Sequence, residues 1–155
     1  MIKKGTKRFK SGLPISNHNA AGIDIGTTEY DVAISDGSDG HIVNKYGTFT
    51  NDLKVLVEWL KQNKIATVAI ESTGVYWINL YLMLQESGID PYLVNAKHVK
   101  NVTGRKKDDT DAIWLQKLHA CGLLQKSFQP TSKFYTLRTF VRQRDKVLQK
   151  GADSN

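Results

Sequence analysis

Four carboxylates stand out by type and placement. Asp24 lies in Gly22-Ile23-Asp24-Ile25-Gly26, between two isoleucines of an apolar run. An unpaired carboxylate buried there costs several kcal/mol, roughly, so it needs a cation or strong donors. Glu71 is the first polar residue after the apolar run Thr67–Ile70, and Ser72-Thr73-Gly74 follows it. Asp108 and Asp111 are spaced i and i+3, which on a helix places both on one face about 4.5 Å apart along the axis. Asp109 then points elsewhere. Each residue has a plainer reading. Asp24 can cap the next turn, Glu71 can serve a helix dipole, and an acidic first helical turn is common.

Four carboxylates brought together repel, and some stay protonated unless cations relieve them. All-oxygen ligands suit Mg2+ or Mn2+ rather than zinc. A pair of such ions about 4 Å apart serves phosphoryl transfer by stabilising the attacking and leaving oxygens.

The elements that must position these residues follow from the pattern. Ala21–Ile25, Tyr30–Ser35 and His41–Thr48 read as three strands with short turns, an antiparallel meander. A helix follows to about Asn63, capped by Asn51 or Asp52, with Leu53, Leu56, Val57 and Leu60 on one side. Thr67–Ile70 and Pro91–Val94 are short strands around a helix over Val75–Glu86. Lys97–Lys107 is a polar, basic stretch, and Asp108–Cys121 and Phe134–Lys150 are helical. The order predicts an α/β fold: a mixed five-stranded sheet, meander plus parallel strands, with helices on both faces. Ribonuclease-H-like domains use that order, and so do sugar-kinase-type ATPases.

The 155 residues carry a net charge of +7, unevenly spread. Residues 1–20 hold five basic and no acidic groups; residues 21–91 hold four basic and ten acidic; residues 92–155 hold thirteen basic and five acidic. An acidic centre between basic flanks suits a polyanion partner. The candidate nucleic-acid contacts are Lys97, Lys100, Arg105, Lys106 and Lys107, and the four-residue stripe Arg138, Arg142, Lys146 and Lys150. Solvated surface charge is the bland alternative. One cysteine excludes an internal disulfide and a Cys-cluster zinc site. The apolar run near Trp77–Leu84 is too short to span a bilayer, so a cytoplasmic protein is expected. Tyr76 and Trp77 read as core before base-stacking residues, and His119 and Cys121 as packing residues.

Ala21–Gly26 (AGIDIG), Ile70–Trp77 (IESTGVYW), Gly104–Leu115 (GRKKDDTDAIWL) and Gly122–Gln129 (GLLQKSFQ) together resemble the DEDD-type transposases of bacterial insertion sequences, relatives of the Piv-type invertases and RNA-guided recombinases. The resemblance implies a ribonuclease-H-like domain at 21–130, similar to Holliday-junction resolvases. Ahead of it stands a flexible basic arm at 1–20, and after it a basic amphipathic helix at 131–155. It puts the catalytic, metal-holding tetrad on Asp24, Glu71, Asp108 and Asp111. It implies DNA cleavage and strand exchange in transposition, with DNA and a structured guide RNA as partners and a homo-oligomer as the working form. It also implies a further C-terminal part that supplies a nucleophilic serine. Lys107 stands where the family usually has Thr, which makes the loop more basic. Two other readings are a resolvase-like nuclease and a non-catalytic nucleic-acid-binding module. Gly22–Thr28 also looks like the first phosphate loop of sugar kinases, but that reading leaves Asp108 and Asp111 without a role.

Overall fold

The computed structural model describes residues 14–71 and 74–127, together with Gln143 and Lys146 at helical positions. The helix expected over Phe134–Lys150, with Arg138, Arg142 and Lys150, otherwise lies outside the described residues, as does the start of the basic arm.

Five strands form one sheet: β1 (Ala20–Ile25), β2 (Tyr30–Ser35), β3 (His41–Tyr46), β4 (Thr67–Glu71) and β5 (Asp90–Val94). Their spatial order is β3-β2-β1-β4-β5. β1 pairs antiparallel with β2 and parallel with β4; β2–β3 is antiparallel and β4–β5 parallel. This is the ribonuclease-H-like arrangement expected from the element order. β4 reads as an unbroken apolar run because both of its faces are covered. β3, at the edge, exposes Ile42 and Val43.

The helices are α1 (Thr50–Gln62), α2 (Trp77–Glu86), α3 (Ala96–Lys100) and α4 (Asp111–Ala120). α1 and α2 cover one face, where Leu53, Leu56, Leu60, Ile78 and Leu84 pack on Ile23, Val32, Val68 and Ile70. α3 and α4 cover the other, through Val99, Trp114, Leu115 and Leu118 against Ala69 and Val94. Truncating a fully buried leucine such as Leu56 or Leu115 to alanine costs roughly 2–5 kcal/mol.

Several boundaries differ from the sequence expectation. α1 starts at Thr50, and Asp52 acts from inside its first turn by accepting the Phe49 N–H at 3.2 Å. α2 starts at Trp77, which is core, while Tyr76 is exposed. α3 overlaps Lys97–Lys107, the stretch read only as polar and basic. α4 starts at Asp111, because the Thr110 hydroxyl caps it by accepting the Ile113 N–H at 3.3 Å. Asp108 therefore stands before the helix, in a turn. The end of the basic arm is docked: the Ser16 and Asn17 N–H groups donate to the Ala120 carbonyl at 2.7 and 2.9 Å. His119 is a packing residue, buried against Thr67 Oγ1 at 2.8 Å and the Tyr92 ring.

Candidate acidic site

Strand alternation sets the faces. Ile23 and Ile70 point to the α1/α2 side, so Gly22, Asp24, Ala69 and Glu71 share the α4 side. Ile23 and Ile70 are register partners, so Asp24 and Glu71 are the next residues on neighbouring strands. Adjacent strands lie about 4.8 Å apart. Asp24 is also the register partner of Asp31, and Asp31 of Lys45. One row of charges thus crosses four strands on one face: Lys45, Asp31, Asp24, Glu71. Lys45 Nζ reaches Asp31 at 3.1 Å and Glu29 at 3.0 Å.

The first turn of α4 adds Asp111, which Arg105 holds at 2.8 Å. The same guanidinium donates twice to the Asp109 carbonyl, from Nε at 3.1 Å and from a terminal nitrogen at 2.8 Å. The Asp109 side chain turns away and takes both oxygens to Lys117 Nζ, at 3.1 and 2.9 Å. That pair is largely buried.

Electrostatics ties the three acids together. Burial pushes the Asp24 carboxyl above the usual range, and the charges of Asp111 and Asp31 push it further; Arg105 and Lys45 oppose them. Burial likewise raises Glu71, followed by Asp111 and Asp24, against Lys100 and Arg105. Asp111 thus acts on both Asp24 and Glu71. Asp108 is exposed, and it is not among the charges that act most on Asp24 or Glu71.

With Asp24 and Glu71 half-buried and Asp111 exposed, this all-oxygen, anionic donor set fits a hard divalent cation in chemistry. Among the described residues no three His, Cys, Asp or Glu side chains stand close enough to grip one. Asp111 instead faces Arg105.

Of the expected nucleic-acid contacts, Lys97, Lys100, Arg105, Lys106 and Lys107 are exposed, Lys100 and Arg105 act on the acids, and Lys146 is an exposed helical position. Sequence reasoning missed Asp31 and Lys45. Register reveals them: the Gly26–Glu29 turn, closed by a Gly26 N–H to Glu29 carbonyl bond of 3.0 Å, sets Asp31 opposite Asp24, and the β2–β3 pairing sets Lys45 opposite Asp31.

Among the described residues no helix is long and apolar enough to cross a membrane. No curated protein matches the chain. Four chains of solved structures match. One is the Thermus thermophilus RuvC structure, at 18% identity and a TM-score of 0.41, covering 77% of this chain and 89% of that one. A family model described as transposase, of the DEDD IS110 type, matches residues 21–154. That span takes in the β1 Asp, the β4 Glu and the start of α4, and the chain belongs to this DEDD transposase family.

Proposed function

We propose that this chain is the metal-holding catalytic part of a DNA transposase. The observation that carries the reading is the placement of Asp24 beside Glu71 at the carboxyl ends of β1 and β4, with Asp111 over them. Open α/β sheets gather their active sites at such strand ends. Asp24, Glu71 and Asp111 would hold magnesium or manganese, joined by Asp108 if the loop before α4 turns inward. When bound, the metal polarises a phosphodiester and offsets charge on its attacking and leaving oxygens.

The chain's own residues do the rest. Arg105 and Lys100, the cations closest in effect to these acids, meet the phosphate and keep it from being repelled. Lys97, Lys106 and Lys107 extend that positive rim, and Arg138, Arg142, Lys146 and Lys150 supply a second basic stripe. Asp31, balanced by Lys45, backs Asp24 in the row. Strand exchange on DNA, a structured guide RNA and assembly into a homo-oligomer complete the proposal, and the motif resemblance is what suggests them.

The test is Mn2+ titration of this chain by calorimetry, with thermal unfolding alongside. Saturable binding that Asp24→Asn abolishes in a folded protein supports the reading. Equal binding by Asp24→Asn removes it. Strand cutting by this chain alone, with water as nucleophile, would favour a plain resolvase-like nuclease.

A further inference from the structure

A groove of about 360 Å³ opens beside the acidic row, between α3 and the chain after α4. Its lining includes Lys97, Asn101, Gln125, Lys126 and Ser127, and no carboxylate. Its walls are joined. The Ser127 N–H donates to the Leu93 carbonyl at 2.8 Å, and His98 Nε2 lies 3.3 Å from the Leu123 carbonyl. Lys126 is oriented by the Tyr92 ring, with its Nζ 5.1 Å from the centroid. Asp90 touches Lys126 at 3.4 Å, but both are about half exposed, and such a pair is worth at most about 1 kcal/mol. An incoming phosphate can share that ammonium.

The groove is continuous with the site. Val94 is the register partner of Glu71, and Asn95, the next residue, is part of the lining. Lys97 and Lys100 are one turn apart on α3. Lys100 acts on Glu71, while Lys97 lines the groove. Positive charge thus runs from the acids along α3 to Lys126. Neutral amides and a hydroxyl lie between, the donor types that contact phosphate and sugar without reading sequence.

We propose that this groove carries the DNA strand flanking the phosphodiester to be cut, with Lys97 and Lys126 each neutralising one backbone phosphate. The proposal rests on the reading of the acidic row as a DNA-cutting site and specifies the side on which the strand leaves it.

The test uses this chain, a short labelled single-stranded DNA and an RNA of the same sequence, titrated at several salt concentrations. Each phosphate contact on a single strand contributes about 0.7 to the slope of log affinity against log salt. Lys97→Gln with Lys126→Gln should lower the DNA slope by about 1.4. The affinity lost between roughly 50 and 200 mM salt then shrinks about sevenfold. Lys54→Gln with Lys61→Gln removes the same charge from the exposed side of α1 and should leave the slope unchanged. An unchanged slope in the groove variant overturns the proposal. So does an equal fall in both variants, or an effect confined to RNA. If the wild type binds no DNA even at low salt, the DNA-cutting reading falls as well.

Discussion

Gly22 and Ala112 meet where β1 passes under α4: a Cβ built on Gly22 would lie 2.5 Å from the Ala112 carbonyl oxygen and 2.9 Å from Leu115 Cβ. Only a residue without a side chain lets the helix approach so closely. Asp24 is two residues along the strand and Asp111 is one residue before Ala112, so this contact sets the height of Asp111 over the row. Gly22→Ala should cost about 1–3 kcal/mol as overpacking. It should also weaken Mn2+ binding while the protein still folds. Chemical denaturation and calorimetry would check the two effects separately.

Asp24→Asn should stabilise the metal-free chain near neutral pH by up to about 1 kcal/mol, or roughly 2–4 °C at this size. Asp24 and Glu71 hold protons more tightly in the folded chain than in the unfolded one. The stability they govern therefore falls as pH rises through their raised values. Adding Mn2+ should reverse the ranking, because only the wild type gains from binding. Melting curves with and without Mn2+, at two pH values, read this directly.

Asp109→Asn and Asp108→Asn should separate cleanly. Asp109 pairs with Lys117 in a largely buried contact, and breaking one side of such a pair costs roughly 3 kcal/mol. Asp108, exposed in its turn, should change stability by less than about 0.5 kcal/mol. A loss of Mn2+ affinity in Asp108→Asn would mean that the Gly104–Thr110 loop refolds around the metal. Hydrogen exchange of that loop, measured with and without Mn2+, would show it.

Arg105→Gln should bind Mn2+ more tightly and DNA more weakly. The guanidinium repels an arriving cation and occupies the Asp111 carboxylate, yet it attracts phosphate. Opposite signs in two titrations are the expected outcome. Parallel losses in both would make Arg105 only a brace for the loop, through its bonds to the Asp109 carbonyl.

His119 predicts acid sensitivity. Burial pushes its imidazole down from 6.5 to about 4. Between those values the unfolded chain binds the extra proton and the folded chain does not, so stability is lost as pH falls. The slope from one such group is at most about 1.4 kcal/mol per pH unit. His119→Gln should be less stable at pH 7 but flatter across pH 4–6.5 in denaturant titrations.

The sheet was legible because its strands announce themselves locally. YDVAIS alternates, TVAI is an unbroken run, and DGSDG marks the turn between two strands. α3 was not legible: Ala-Lys-His-Val-Lys has one apolar anchor, Val99, and five residues carry no periodicity. The start of α4 was misplaced because three aspartates suggested a first turn, while Thr110 was the cap. Asp24, Glu71 and Asp111 could be named from their neighbours. Asp31 could not, because an acidic residue in an alternating strand looks like an outward-facing one until register sets it opposite Asp24.

The dependence of β1 on α4 has a consequence for the order of events at the ribosome. Asp111 emerges 87 residues after Asp24 (111 minus 24), a delay of roughly 4–17 s at about 5–20 residues per second. The meander and β4 can pair in that interval, but the Gly22 face of the young sheet stays uncovered until α4 is made. The nascent chain thus spends its synthesis with Asp24 and Glu71 lacking their third carboxylate. A chain stalled before α4 carries an uncapped sheet, prone to association, and an acidic row with no Asp111 beside it.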